Sequence, residues 1–331
     1  MNERTQFRSV CGATMARYLA VKETLGRQYT TERAVFTRLD GFLAARHADL
    51  DAETFAHWCT SLGALTSGVR RARMRIVRNL CVYRRRDEPS CFVPDLALFP
   101  PRHHTVQPHI FTADEIDRLL RVVDAVRFTR RSPLRRDILR LALVLSYTTG
   151  LRRGELLRLT VGDYDPTEST LLIRESKFHK SRVVPLSPGG ASSVAAYLRV
   201  RRTHRGPFSK DTPLLGSPYC DGKPYTEGGL RDGITQVLST AGIHTTAGRV
   251  PRLHDFRHTF AVHALLRWYQ AGADVQAKLP VLATYMGHAS ILSTQYYLRV
   301  VDQLTGLASS RFASQYANLV TPRPSPDGGI S

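Results

Sequence analysis

Two short segments near the C-terminus decide the fold predicted for this chain: Leu253-His254-Asp255-Phe256-Arg257-His258-Thr259-Phe260, and Met286-Gly287-His288 with Tyr297 nine residues after the histidine. A tyrosine hydroxyl has a pKa of about 10 and is a poor nucleophile, so it needs cations that hold a phosphate and a base that takes its proton. His254 and Arg257 lie three positions apart, and on a helix they share one face and can reach the same phosphate. The two segments therefore predict a site that cleaves phosphodiester bonds.

Two earlier segments supply further cations. An arginine follows a glycine turn in Thr149-Gly150-Leu151-Arg152-Arg153-Gly154-Glu155-Leu156-Leu157, and a lysine precedes a β-type run in Ser176-Lys177-Phe178-His179-Lys180-Ser181-Arg182-Val183-Val184-Pro185-Leu186. In this order the four segments resemble the tyrosine recombinase (phage integrase) family, over roughly residues 110 to 300. The resemblance implies an enzyme that cleaves and rejoins DNA strands through a 3′-phosphotyrosyl intermediate.

Arg152 takes the position of the family's first catalytic arginine, directly after Gly150 and Leu151. Glu155 stands three residues further on, so on a helix it can face Arg152 and hold the guanidinium by a charged hydrogen bond. Arg153 is the competing assignment. By the register of the motif we predict that Arg152 is catalytic and that Glu155 supports it.

The second catalytic arginine is Arg257, with His254 beside it. Two forked guanidiniums match the non-bridging oxygens of a phosphate and stabilise a pentacoordinate transition state more than the ground state. His258 falls on another face, where a structural role is expected. The spacing from His254 to His258 also permits a zinc metalloprotease helix. Because no third ligand is evident and an arginine beside the site would oppose a dication, we predict no metal.

The resemblance assigns the remaining catalytic roles. Lys177 takes the place of the family's mobile lysine and would protonate the leaving 5′ oxygen, with Lys180 as the alternative if the turn is registered differently. His288 would donate a hydrogen bond to the scissile phosphate. The family's spacing from this histidine selects Tyr297 as the nucleophile over its neighbour Tyr296.

Composition agrees with a polyanionic partner. Lys and Arg outnumber Asp and Glu by 47 to 28, which gives a formal net charge of +19 and a pI near 10.3. Such a balance is typical of proteins that bind nucleic acid. We therefore predict double-stranded DNA as the partner.

Other features bear on location. The most apolar run, Leu139 to Tyr147, contains Arg140 and is too short to span a bilayer, so no membrane association is expected. The first six residues lack the apolar core of a secretory signal. The five cysteines are scattered, without Cys-x-x-Cys spacing, and fit a reducing compartment. These features predict a cytoplasmic, nucleoid-associated protein.

Prolines divide the chain into two predicted domains. Between Glu88 and Pro108, five prolines interrupt every periodic pattern and resist helix formation, which predicts a linker. Apolar residues recur at helical spacing on both sides of it, and two β-type runs flanking a Lys-rich turn predict a hairpin. The predicted fold is mainly α with a small antiparallel β-sheet. Its parts are a helical core-binding domain (residues 1–88), the proline-rich linker (89–109), a mostly helical catalytic domain (110–300), and a C-terminal helix with a flexible tail (301–331).

Local signals predict several element limits. Thr112 followed by Glu115 is the pattern of a capping box at a helix start. Gly150 is expected to end the helix that begins at Pro133. Other expected helices cover residues 10–25, 31–46, 52–62, 67–85, 192–203, 226–241, 253–271, 275–286 and 290–298, and the strands cover 170–174 and 182–186.

The stretch over residues 67–85 is the most basic in the chain. Its arginines appear with no acid among them, while Met74 and Val77 can line an opposite apolar face. A solvated basic face is the bland alternative, but a run of a single sign without local acids favours contact with DNA phosphates. The predicted DNA contacts are Arg70, Arg71, Arg75 and Arg78, in a run that continues with Arg73, Arg84, Arg85 and Arg86.

The implied function is site-specific recombination for integration, excision or transposition of a DNA element. The phosphotyrosyl bond conserves the energy of the broken bond, so no cofactor is needed. The resemblance further implies a homotetramer on specific recombination sites, joined by exchange of the C-terminal helix, with accessory proteins as optional partners. A type IB topoisomerase-like DNA relaxing enzyme and a catalytically silent DNA-binding regulator are the alternatives. Motif order, chain size and the complete residue set favour the recombinase, and residues 279–288 favour one from a mobile element.

Overall fold

The computed structural model describes residues 7–25, 29–101, 107–127, 132–174, 181–217, 223–288, 290, 294 and 296–299. The chain divides into two compact units, Met1–Val106 and Gln107–Ser331, so the division falls inside the predicted linker. Among the described helices, none combines the length and the apolar character needed to cross a membrane.

The N-terminal unit is built from four helices that agree with the predicted stretches to within two residues. In α2, Phe36, Leu39 and Leu43 are fully buried, at the spacing that places apolar side chains on one helix face. The Asp51 carboxylate caps α3 by accepting a hydrogen bond from the Thr54 backbone N–H at 2.7 Å. The helices are α1 (Gly12–Thr24), α2 (Thr30–Ala44), α3 (Ala52–Ser61) and α4 (Ser67–Arg84).

Residues 91–100 belong to this unit and pack on it, although the prolines in this region predicted a linker. Phe99 is buried, and the Phe92 ring lies 5.9 Å from the Phe55 ring between centroids. A short 3-10 helix, Leu96–Leu98, is capped by Asp95. Proline prevents a regular helix here, but it does not prevent apolar side chains of an extended segment from joining a core.

Three arginines spaced seven residues apart, two in α4 and the third directly after it, bind this segment. Arginines further along the chain bind residues nearer the start of the segment, so the segment runs antiparallel to α4. Each arginine donates to a backbone carbonyl: Arg71 to Pro100, Arg78 Nε to Pro94 (3.1 Å), and Arg85 Nη2 to Cys91 (3.1 Å). The guanidiniums predicted to bind DNA at Arg71 and Arg78 therefore hold backbone of their own chain.

The expectation that the basic run has no acidic partner is wrong for Arg84. Its guanidinium contacts both carboxylate oxygens of Asp49, at 2.6 and 2.7 Å, and also pairs with Glu88 at 2.7 Å. Asp49 lies in the loop between α2 and α3, so only the tertiary fold brings it to α4. Arg75 and Arg86, by contrast, are exposed.

The C-terminal unit is mostly helical, as predicted. The expected capping box starts α5: the Glu115 N–H donates to Thr112 Oγ1 at 3.2 Å, and the Thr112 N–H donates to the Glu115 carboxylate at 2.9 Å. Helix α6 ends at Gly150, which has φ +60° in the left-handed region. The helices are α5 (Ala113–Asp124), α6 (Arg135–Thr149), α7 (Arg153–Arg158), α8 (Pro188–Arg205), α9 (Glu227–Thr240), α10 (Leu253–Gln270) and α11 (Val275–Met286).

A three-stranded antiparallel sheet lies beside these helices in the order β1-β2-β3. The strands are β1 (Tyr164–Asp165), β2 (Thr170–Ile173) and β3 (Arg182–Pro185). The hairpin of β2 and β3 was predicted, whereas β1 was not. Ile173 pairs with Arg182 and Leu171 with Val184. Leu171, Ile173 and Val184 are buried, so this face of the sheet is the core face.

Helices α10 and α11 share a second apolar cluster with the chain that follows them. Val262 and Leu265 of α10 pack with Leu279 of α11. The predicted last helix is, where described, a 3-10 helix over Tyr296–Arg299, and it brings Tyr297 into the same cluster. Tyr297 is only 3% exposed.

Candidate active site

Arg257 lies in the interior of the unit, at the first turns of α10. Its Nη1 donates to the Gly150 carbonyl at 2.6 Å and its Nη2 to the Met286 carbonyl at 2.7 Å. Burial, followed by the nearby charge of Arg152, lowers the pKa of Arg257 to about 10, so the guanidinium stays charged at neutral pH. Gly150 is needed for this contact, because a Cβ there would lie 2.6 Å from the Phe260 ring.

Arg152 stands at the N-cap of α7 and reaches the same region from another side. Its Nη1 donates to Glu155 Oε1 at 2.7 Å, which is the contact expected from the sequence, and its Nη2 donates to the Gly287 carbonyl at 2.7 Å. Its side chain is 26% exposed, so it remains accessible to a ligand. The competing residue, Arg153, instead pairs with Glu227 at the start of α9.

A third arginine, Arg182, completes the group. Its Nη1 and Nη2 donate to the two oxygens of Glu155 at 3.2 and 2.9 Å, and its Nε donates to the Tyr285 carbonyl at 2.7 Å. From the sequence, Arg182 is predicted only as the first residue of a strand. The sequence did contain a signal for its place in the site, because strand alternation puts Arg182 on the same side of β3 as the apolar Val184.

Glu155 is the buried anion that the arginines Arg152 and Arg182 share. Burial by itself would raise the pKa of this carboxyl, but hydrogen bonds from Arg182 and from the Arg152 backbone N–H outweigh it and lower the pKa to about 2. Glu155 is therefore ionised at neutral pH and balances part of the positive charge around it.

The three arginines converge on consecutive carbonyls at the end of α11. The last carbonyls of a helix have no intrahelical partner and carry the negative end of the helix dipole, so cations are favoured there. Arg182 binds the carbonyl of Tyr285, Arg257 that of Met286 and Arg152 that of Gly287. The end of α11 is thereby fixed immediately before His288.

Two histidines lie against the buried Tyr297, and a third lies beyond one of them. The His288 ring lies nearly parallel to the Tyr297 ring, with centroids 6.2 Å apart, and its Nδ1 is 2.8 Å from Thr294 Oγ1. The His258 ring meets Tyr297 edge-on at 5.4 Å and His254 edge-on at 4.9 Å. The sequence predicted His258 on another face in a structural role, but it lies between His254 and Tyr297.

The three imidazoles are neutral at pH 7. Burial, with the charge of Arg257 as the next cause, lowers the pKa of His254, and lowers that of His288 to about 4. Burial and the neighbouring His254 lower the pKa of His258 to about 4. A neutral imidazole can accept a proton or donate one hydrogen bond. A phosphate placed beside these rings would raise their pKa values again.

Lys177 and Lys180 lie outside the described residues, as does the predicted C-terminal helix. No group of three His, Cys, Asp or Glu side chains that could hold a metal ion occurs within the described part of the chain.

The chain is similar to recombinases over most of its length. The model of the phage integrase family matches residues 109–303. The tyrosine recombinase XerD of Caulobacter vibrioides is 30% identical to this chain, over 80% of this chain and 82% of the relative. Two solved structures, each 16% identical, share the fold. They are the integrase of transposon Tn1549 with a circular intermediate DNA (TM-score 0.61, covering 92% of this chain and 99% of that one) and a lambda integrase tetramer on a Holliday junction (0.58, 86% and 76%).

Proposed function

The chain belongs to the phage integrase family of tyrosine recombinases, and from that premise we propose that it cleaves and rejoins specific DNA sites with Tyr297 as nucleophile. The observation that carries the proposal is the convergence of Arg152 and Arg257 on adjacent carbonyls, next to a buried tyrosine that lies against two neutral histidines. Such a group can hold a phosphodiester and stabilise the charge that develops on it.

In the proposed reaction the Tyr297 hydroxyl oxygen attacks the phosphorus, and the bond from phosphorus to the 5′ oxygen breaks. The tyrosine proton passes to a neutral imidazole, for which His258 and His288 are the rings beside Tyr297, and His254 lies beyond His258 on the same helix face as Arg257. The departing 5′ oxygen takes a proton, which we assign to Lys177. A 5′ hydroxyl from a partner duplex then reverses the step. The energy of the phosphodiester is kept in the phosphotyrosyl bond, so the scheme uses neither a nucleotide cofactor nor a metal.

We further propose that the protein works as a tetramer on two duplex sites in the cytoplasm, at the nucleoid. The biological role would be integration, excision or transposition of a DNA element, and segment 279–288 supports a mobile-element recombinase. Exchange of a helix from residues 301–320 between protomers remains part of this proposal. Accessory proteins are optional partners in it.

One capture experiment separates this function from its alternatives. The protein is incubated with sheared DNA from its source, the reaction is stopped with detergent, and covalently attached fragments are sequenced alongside fragments that bind without covalent attachment. A recombinase should yield covalent adducts enriched in one inverted repeat. A topoisomerase-like enzyme would yield adducts without enrichment and relax any supercoiled plasmid. A silent regulator would enrich a sequence without covalent attachment, which would overturn the proposal.

For the N-terminal unit we propose that α4 and the residues directly after it contact DNA phosphates, and the exposure of the arginines determines which to test. Replacing exposed Arg75 and Arg86 with alanine should make the plot of log affinity against log salt shallower by up to about one unit each, because fewer counterions are released. The matched control replaces Arg71 and Arg78, which bind linker carbonyls. That pair should lower the melting temperature and change the salt slope less. An equal slope for wild type and the Arg75 and Arg86 variant would show that α4 does not contact DNA through these residues.

A further inference from the structure

We propose that Arg182 is a positioning residue for strand cleavage, which keeps a net positive charge on the cluster of Arg152, Glu155 and Arg182 and fixes the turn before His288. The inference rests on the proposed function, because it concerns the same reaction. The contacts that support it are the two hydrogen bonds that Arg182 donates to the Glu155 carboxylate and the one that it donates to the Tyr285 carbonyl.

The place of Arg182 on the sheet is the first argument. Arg182 pairs with Ile173 across β2 and β3, and cross-strand partners share a face, so its side chain starts on the core face of the sheet. It is 10% exposed and its carboxylate partner 2%. A buried ion pair adds little stability compared with apolar residues of the same volume. The charge of Arg182 is therefore better explained by its effect on Arg152 and Glu155 than by a contribution to stability.

The second argument is the sharing of one carboxylate by two cations. Glu155 Oε1 accepts from both Arg152 Nη1, at 2.7 Å, and Arg182 Nη1, at 3.2 Å. Two guanidiniums and one carboxylate leave one net positive charge. Without Arg182, Glu155 would neutralise Arg152 alone, and the pair would offer a phosphate no net charge. With Arg182 present, the cluster of Arg152, Glu155 and Arg182 keeps a net positive charge that attracts the phosphate.

Arg182 also holds the turn before His288 in place. The turn at Gly287 lies directly on the Arg182 guanidinium: a Cβ at Gly287 would be 2.7 Å from Arg182 Nη1. The Nε bond to the Tyr285 carbonyl holds the same turn from the helix side. His288 follows at once in the chain, so a displaced guanidinium would displace the histidine.

The test measures single-turnover adduct formation, duplex affinity and melting temperature on a captured site. Arg182→Met, of similar volume, should slow adduct formation by about a hundredfold, the range for loss of one preorganised donor, while duplex affinity changes less than about threefold. Arg182→Lys should keep about a tenth of the wild-type rate, because lysine restores the charge without the fork. Adding Glu155→Gln to Arg182→Met removes the carboxylate that neutralises Arg152, and this double variant should be about tenfold faster than Arg182→Met alone.

A purely structural role predicts a different pattern. The double variant would then be no faster than Arg182→Met, and slowing would follow the loss of melting temperature; that result, or a wild-type rate for Arg182→Met, would overturn the inference. If Arg182→Met does not fold, Arg182→Gln, which also removes the charge, gives the same comparison with and without Glu155→Gln. A wild-type rate for Arg182→Lys would contradict the need for a fork. Failure of the proposed function is distinguishable, because the wild-type protein itself would then form no adduct.

Discussion

Tyr297→Phe should abolish covalent attachment of the protein to a DNA 3′ end, a loss of at least about a thousandfold, because the nucleophile is removed outright. The measurement uses a captured site nicked near the cleavage point, so that the released strand diffuses away and the adduct accumulates. The phenylalanine ring keeps the contacts of the buried tyrosine ring with His258 and His288. Duplex affinity and melting temperature should therefore stay near the wild-type values.

The adjacent tyrosine provides the matched control. Tyr296→Phe should form the adduct at close to the wild-type rate. An adduct with Tyr297→Phe, or loss of the adduct only with Tyr296→Phe, would mean that the neighbouring residue is the nucleophile. Mass spectrometry of the adduct peptide would identify the attached residue directly.

The second large effect is expected at the arginines. Arg152→Ala or Arg257→Ala should lower the rate of cleavage by about a thousandfold or more, with duplex affinity reduced less than about tenfold, because these groups stabilise the transition state more than the bound substrate. Arg257 also bridges the Gly150 and Met286 carbonyls, so Arg257→Lys belongs beside the alanine variant to keep a charge at that place.

Arg153→Ala is the control for this pair. Arg153 adjoins Arg152 in the chain but pairs with Glu227 and is 42% exposed, so its loss should change cleavage less than about threefold. Equal losses of affinity and cleavage in the Arg152 or Arg257 variants would place these arginines in ordinary binding. A large loss with Arg153→Ala alone would move the catalytic role to that residue.

Helix limits could be predicted from the sequence because their signals are local. Thr112 with Glu115 sets a helix start through contacts within four residues, and Gly150 ends a helix through its own backbone conformation. The family motifs similarly named residues that the fold brings together, such as Arg152 and Arg257. Their catalytic roles remain predictions.

What could not be predicted depends on partners distant in the chain. The basic run on α4 looked uniform, yet Arg84 pairs with Asp49 from another loop, and Arg71 binds a carbonyl of the proline-rich segment. Prolines indicated the absence of a regular helix without indicating that the segment packs. The contact of His258 with Tyr297 could not be predicted from α10 alone, because Tyr297 lies outside that helix.

The burial of Tyr297 among α10 and α11 bears on how a cell makes a protein that breaks DNA. Ribosomes add about 5–20 residues per second, so Tyr297 is added roughly 7 to 30 seconds after Arg152. In the proposed mechanism, a nascent chain during that interval contains Arg152 but lacks Tyr297, the residue that would attack the phosphate. A chain that stops before Tyr297, through a nonsense codon or a stalled ribosome, could not form the phosphotyrosyl bond of the proposed mechanism.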